Sequence, residues 1–288
     1  MPVVHHFAYG PINPLIAYAM AFLGSLLGLA CTARARAATT SGRRSRWLLI
    51  AAVSIGGGIW LMHFMAMLGF DIPDSPVRYD LAVTIASAAV AIGVVGVGLL
   101  IVATSRRAVW KVLLGGLFTG IGVATMHYTG MAAMRIAGGV GYDPTMVAAS
   151  VLIAVLAATV ALALAVTVRG RLPIFFSAAI MGVAVCGMHY SAMAALRIHL
   201  RFTGTPVPGM EPIVLILPIT IIVAAALIGL MFGALKTVTE EDAILAPHLE
   251  MLLPELTEPR RPVTLAEFNH LPPLPVSANG SARAGRHR

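Results

Sequence analysis

This chain contains several long apolar runs, and each is long enough to form a helix that crosses a bilayer. We predict seven spans, at about 14–33, 47–69, 81–104, 110–134, 146–168, 172–196 and 213–235. Only 11% of the residues are charged, whereas a soluble domain carries about 25%. The chain is therefore predicted to be an all-α polytopic membrane protein in a lipid bilayer, with seven transmembrane helices formed by three two-helix repeats plus one helix.

The basic residues are distributed unevenly between the predicted loops. The loops after spans one, three and five carry ten Lys or Arg residues, and the loops after spans two, four and six carry four. Cytoplasmic loops are enriched in Lys and Arg, so we predict an external N-terminus and a cytoplasmic C-terminus. A cysteine at Ser75 should then be accessible from outside, and one at Ser41 from the cytoplasm. Because topology accounts for the net charge of +8, we expect no nucleic-acid partner.

The composition changes along the chain and predicts three regions. Residues 1–12 form an extracytoplasmic lead, 13–235 a seven-helix membrane domain, and 236–288 a cytoplasmic tail. Asn13 and Pro14 are expected to start the first helix, with the asparagine as its cap. The tail is rich in proline and small polar residues, so most of it should be disordered. It shows no kinase, cyclase or phosphodiesterase motif, and the spans contain no nucleophile with a general base. We therefore expect no enzymatic activity.

One short pattern occurs three times: methionine, histidine, an aromatic residue, and a second methionine four residues after the histidine. The three histidines are 64 and 62 residues apart, which indicates an internal repeat. Residues four apart share a helix face, and ionisable groups inside a membrane usually face the interior of the bundle. We therefore predict a functional site near the outer membrane face. Its candidate metal ligands are Met62, His63, Met67, Met126, His127, Met131, Met188, His189 and Met193.

The donor types in this pattern favour copper. Imidazole and thioether groups suit Cu(I), whereas Mg²⁺, Ca²⁺ and Mn²⁺ prefer oxygen ligands. Zinc sites generally use cysteine, histidine or carboxylate rather than thioether. No Asp or Glu lies in any predicted span, so carboxylate ligands are excluded there. Nine donors exceed the needs of one ion, so either several ions bind or some methionines only shape the site. Cys186 lies three residues before His189, but a lone cysteine in an apolar span usually serves packing.

These residues carry a resemblance to a known family. Met126-His127-Tyr128-Thr129 is the signature of the MHYT domain, and the segments at 62–65 and 188–191 are similar to it. The resemblance covers about 13–235 and implies a multi-pass sensor in the bacterial inner membrane. It also implies copper bound by the methionines and histidines, with oxygen, CO, NO or copper as the stimulus. Family members often carry a cytoplasmic output domain. Only the short tail follows here, so we expect a stand-alone form that signals to a separate cytoplasmic partner.

Two other functions remain open. A transporter for copper or another small solute would use the Met–His pairs as successive binding sites, although all the donors lie at one predicted depth. A haem-binding membrane redox protein would use two of the histidines as axial ligands, and a Soret band would reveal it.

Overall fold

The computed structural model describes residues 10–73, 75–103, 108–201, 206–221, 224–225 and 228–229. The chain divides into two compact units, Met1–Lys236 and Thr237–Arg288, and every described residue belongs to the first. The helices are α1 (Ile12–Ala37), α2 (Ser41–Leu68), α3 (Leu81–Ala103), α4 (Val109–Ala133), α5 (Pro144–Thr167), α6 (Arg171–Ala194) and α7 (Pro212–Ile221).

The predicted class, an all-α polytopic membrane protein, is confirmed. Helices α1 to α6 are 23 to 28 residues long and apolar enough to cross a membrane. Helix α7 coincides with the beginning of the predicted seventh span. The rest of that span lies outside the described residues, apart from 224–225 and 228–229. The predicted cytoplasmic tail and most of the N-terminal lead also lie outside them.

The outer faces of the helices are apolar, as expected for contact with lipid. Helix α5, for example, exposes Leu152, Leu156 and Val160, which share one face because they are four residues apart. Small residues face inward and allow close helix packing. A Cβ on Gly24 of α1 would lie 2.7 Å from the Cα of Gly58 in α2, so neither position accepts a side chain.

The helices pack in a closed arrangement that brings the three repeated patterns to one end. Each of α1 to α6 packs on its neighbours in the chain, and α6 closes the ring against α1. Helix α2 is the most enclosed, since every residue from Ser54 to Met67 is buried. The carboxyl ends of α2, α4 and α6 lie together, and each carries one histidine near its last turn.

Short strands at this same end connect the repeats. Strand β1 (Arg78–Tyr79) pairs antiparallel with β2 (Met134–Arg135), and β3 (Gly138–Tyr142) pairs antiparallel with β4 (Leu196–Leu200). An isolated bridge between Tyr79 and Met210 joins the first repeat to the segment before α7. The sequence predicted most of these residues to lie in loops and placed Met134 and Leu196 at the ends of the fourth and sixth spans, because strands of two to five residues have too little periodicity to recognise.

Two expectations about single residues were wrong. Asn13 does not cap α1, which begins at Ile12 after Pro11. Its side chain is buried and its Nδ2 donates a hydrogen bond to the Met65 carbonyl at 3.3 Å. Ser75 is only 4% exposed, and its Oγ accepts a hydrogen bond from the Ala137 N–H at 2.8 Å. A cysteine at that position would therefore be a poor probe of the external surface.

Candidate metal centre

The three histidines meet in the interior of the bundle. His63 lies on α2, His127 on α4 and His189 on α6, and each side chain is about 1% exposed. The ring centroids of His63 lie 4.7 Å from His127 and 5.1 Å from His189, and the remaining pair is 5.1 Å apart. The interplanar angles are 72° to 77°. The rings therefore form a nearly symmetric triangle, as equivalent positions in three repeats should.

Three of the six ring nitrogens in this triangle have no hydrogen-bond partner among the described residues. One potential ligand atom from each ring lies within 4.8 Å of the other two. The Nδ1 atoms of His63 and His189 are 3.1 Å apart, so one of these rings can donate to the other. Nε2 of His63 and both ring nitrogens of His127 have no partner among the described residues. An unmet buried polar group costs about 1–3 kcal/mol. The site therefore fits a cation that accepts several nitrogen lone pairs.

The six predicted methionine ligands are all buried in the bundle, each at 4% exposure or less. Five belong to the main apolar core: Met67, Met126, Met131, Met188 and Met193. Met62 belongs to a smaller apolar cluster with Ala17 and Ala21 of α1, and Cys186 packs against that cluster. Among the described residues, the group of three nitrogen, thiol or carboxylate donors contains only the histidines. Cys186 is not part of that group.

The aromatic residue after each histidine packs edge-on against that histidine. The centroid distances are 4.7 Å for Phe64, 5.0 Å for Tyr128 and 5.0 Å for Tyr190, with interplanar angles of 79° to 88°. The Tyr128 hydroxyl lies 2.8 Å from Oγ of Ser150 on α5, which anchors this aromatic ring to a neighbouring helix. The repeated pattern therefore encodes the orientation of each imidazole as well as its position.

Gly130 on α4 makes room for the His63 ring. A Cβ at Gly130 would lie 2.5 Å from Nε2 of His63 and 2.9 Å from its Cδ2. Both distances are below the 3.0 Å at which atoms must shift. This glycine was not among the candidate residues predicted from the sequence, although it follows His127 by three residues.

Three ion pairs lie beside the strands at this end. Asp80 and Asp143 stand just before α3 and α5, where their carboxylates accept hydrogen bonds from the first-turn N–H groups. Each also pairs with an arginine from the following repeat. The third pair joins the first repeat to the segment before α7. The pairs are Arg135–Asp80 at 3.3 Å, Arg197–Asp143 at 3.5 Å and Arg78–Glu211 at 3.1 Å.

These arginines entered the sequence-based predictions only as signals of topology. A more specific signal was present, since Arg135 and Arg197 each follow a histidine by eight residues. Such solvent-exposed pairs add little to stability. Their significance is geometric, because each pair joins two different repeats at the end of the bundle that contains the histidines.

The fold and the site together define a class: a polytopic membrane domain of helix-pair repeats that share one buried histidine cluster. Comparison with known families agrees. The MHYT family, described as a bacterial signalling protein N-terminal repeat, matches at residues 56–116, 120–178 and 182–246. Each match begins seven residues before one of the three histidines. This chain belongs to the MHYT family, as its sequence pattern indicated.

Individual relatives are signalling proteins. MucR of Pseudomonas aeruginosa, a bifunctional diguanylate cyclase/cyclic di-GMP phosphodiesterase, is 34% identical over 93% of this chain and 39% of its own length. NbdA of the same species, a cyclic di-GMP phosphodiesterase, is 36% identical over 71% of this chain and 26% of its own length. The signalling protein YkoW of Bacillus subtilis is 31% identical over 55% and 21%. The search of solved structures gave no significant match.

This chain spans well under half the length of these relatives. The enzymatic activities in the names of MucR and NbdA therefore describe much longer proteins. The property shared over the matched region is the MHYT repeat, so this chain is a membrane domain with a role in signalling.

Proposed function

We propose that this protein is an inner-membrane sensor that binds copper at the cluster of His63, His127 and His189. The observation that carries this proposal is the convergence of three buried imidazoles from three helices, with His127 lacking a partner for either ring nitrogen. A cation bound there would satisfy these nitrogens and offset the cost of burying them. The positive-inside pattern of the loops further supports a position near the outer membrane face.

The neighbouring residues favour copper over other metals. Three imidazoles alone suit zinc as well as copper. The buried methionines that flank each histidine in the sequence would add thioether sulfur, which favours Cu(I). When bound, a copper ion would supply a coordination position for oxygen, CO or NO. The histidines would hold the ion, and the edge-on aromatic rings would keep the imidazoles oriented.

The arrangement also suggests how binding would be transmitted. Each histidine belongs to a different helix, so an occupied site would favour the helix packing that keeps the three rings together. A ligand shifts such an equilibrium by its difference in affinity for the two states. Two relatives are named for enzymes of cyclic di-GMP turnover. We therefore propose that the signal reaches this pathway through a separate cytoplasmic partner.

The two alternatives receive less support. A transporter would need further donor sites along its path, and the described residues contain one group of three donors. A haem held by two axial histidines needs a slot as wide as the macrocycle. The three rings here lie against one another at 4.7 to 5.1 Å, which suits a single ion better.

Metal content tests the proposal. The chain purified in mild detergent should contain copper or take up Cu(I), and the triple variant His63→Ala, His127→Ala, His189→Ala should lose this binding. His199 lies on the exposed side of β4 at the same end of the bundle, so His199→Ala is the matched control and should bind normally. A wild-type chain that takes up no Cu(I) contradicts the proposal. If the chain binds zinc instead of copper, a metal site at the histidines is supported but the choice of copper is wrong.

A further inference from the structure

A polar cavity lies at the opposite end of the bundle from the histidines. Its volume is about 180 Å³, and its walls come from α1, α2, α3, α4, α5 and the residues after α5. Arg44 lines this cavity, and His63 follows it by 19 positions along α2. At a rise of 1.5 Å per residue, the two lie about 28 Å apart along the helix axis. The cavity is therefore distinct from the histidine site.

Four cationic side chains converge on this cavity, and none of its lining residues is acidic. The cations are Arg36, Arg44, Lys111 and Arg169. The remainder of the wall is largely apolar and includes Leu48, Leu99 and Val102. Like charges beside a low-dielectric wall repel one another and create a field that attracts anions.

Helix capping explains two of the four cations. Arg36 donates to the carbonyls of Ala165 and Val168 at the end of α5, and Arg44 donates to the carbonyl of Ala103 at the end of α3. Both contacts are favourable because the carboxyl end of a helix carries partial negative charge. They also hold the two guanidinium groups at the cavity wall. Arg169 and Lys111 bring two more positive charges to the same space.

We propose that this cavity binds a phosphate group. Guanidinium groups match the geometry of phosphate oxygens, and basic pockets between transmembrane helices bind anionic lipid head groups. The phosphate would belong either to a phospholipid at the membrane surface or to a soluble phosphate compound. The cations would contact the phosphate oxygens, and the apolar wall would strengthen this attraction by excluding water.

Binding measurements on the full chain in mild detergent test the proposal. We would titrate it with phosphatidylglycerol, with phosphatidylcholine of the same acyl chains, and with inorganic phosphate, following the unfolding temperature. Phosphatidylglycerol should raise this temperature more than phosphatidylcholine. A matching effect of inorganic phosphate would assign the site to the phosphate group alone, whereas its inactivity would assign the site to the lipid. Equal effects of the two lipids, with no effect of phosphate, would overturn the proposal.

Two variants that each remove one positive charge distinguish anion binding in this cavity from general attraction of anions to the basic surface. Arg169→Gln removes a cavity cation, whereas Arg46→Gln removes an exposed cation of α2 that does not line the cavity. Arg169→Gln should weaken binding of the active anion about fivefold, the effect of one cation near a membrane surface, and Arg46→Gln should weaken it less. Lys111→Gln provides a second cavity variant if Arg169→Gln folds poorly. Equal losses in the cavity variants and the control would overturn the proposal.

Discussion

His127 differs from the other two histidines in its contacts. His63 and His189 share an Nδ1–Nδ1 contact of 3.1 Å, whereas both nitrogens of His127 lack a partner among the described residues. A neutral imidazole carries one donor and one acceptor, so His127 buries two ring nitrogens without hydrogen-bond partners. His63 and His189, by contrast, can form one hydrogen bond with each other. The deficit of hydrogen-bond partners is therefore greatest at His127, on the helix whose pattern matches the family signature.

Gly130→Ala is expected to disturb metal binding without removing a ligand. The new Cβ would lie 2.5 Å from Nε2 of His63, so the His63 ring must leave its present position in the triangle. Substitutions that disturb ligand orientation typically cost 10–100-fold in metal affinity, and we expect a loss of about tenfold or more. Competition with a calibrated Cu(I) chelator would measure it.

Gly187→Ala is the matched control for that substitution. Gly187 is an exposed glycine of α6 two residues before His189, and a Cβ there would have no neighbour within 4 Å. Alanine is favoured over glycine in a helix by about 1 kcal/mol, so this variant should be slightly more stable and bind metal normally. If Gly130→Ala binds metal as tightly as Gly187→Ala, the proposed role of Gly130 in positioning His63 is wrong.

At the scale of elements, Asp80 links α3 to the second repeat. The hydrogen bond from the Val83 N–H, together with the nearby Arg135 guanidinium, lowers the pKa of Asp80 below its usual value. A lowered pKa in the folded state contributes stability above the unfolded pKa, which is about 4. That contribution is lost as the pH falls through the lower, folded value. The junction of α3 with β2 should therefore weaken in acid.

Asp80→Asn tests this link through its pH dependence. Below about pH 4, the unfolding temperature of the wild type should fall more steeply than that of Asp80→Asn, because the variant has no carboxylate to protonate. Asp71→Asn removes an exposed carboxylate at the same end of the bundle and should retain the steep fall. Parallel curves for the wild type and Asp80→Asn would show that the Asp80 contacts contribute nothing measurable.

The elements also show what sequence can predict in such a chain. Spans were predictable because a bilayer demands long apolar runs, and the histidine cluster because repetition makes three positions equivalent. The pairing of Tyr79 with Met134 was not predictable, because a two-residue strand depends on register between distant segments. The same holds for Gly130, since only the folded bundle reveals that a side chain from another helix occupies the space above it.

For the molecule as a whole, the two ends differ in chemistry. One end contains the histidine cluster with its paired strands and ion pairs, and the other contains the basic cavity. Between them lies a small apolar cavity of about 50 Å³. Leu99 and Ala165 line both it and the basic cavity, and Met188 lines its other side. The apolar interior around Leu99, Ala165 and Met188 therefore lies between the two polar sites.

Orientation in the membrane decides which of these ends meets the outside, and two glycines provide a matched test of it. Gly139 lies in β3 at the histidine end and Gly42 in the first turn of α2 at the basic end. Both are exposed, and a Cβ at either position would have no neighbour within 4 Å.

In a chain whose native Cys31 and Cys186 are replaced by alanine, Gly139→Cys should react with a membrane-impermeant maleimide in intact cells. Gly42→Cys should react only after the cells are opened, since cytoplasmic loops carry the excess of Lys and Arg. The reverse pattern would place the histidine cluster near the cytoplasm, and copper or gas would then be sensed from inside the cell.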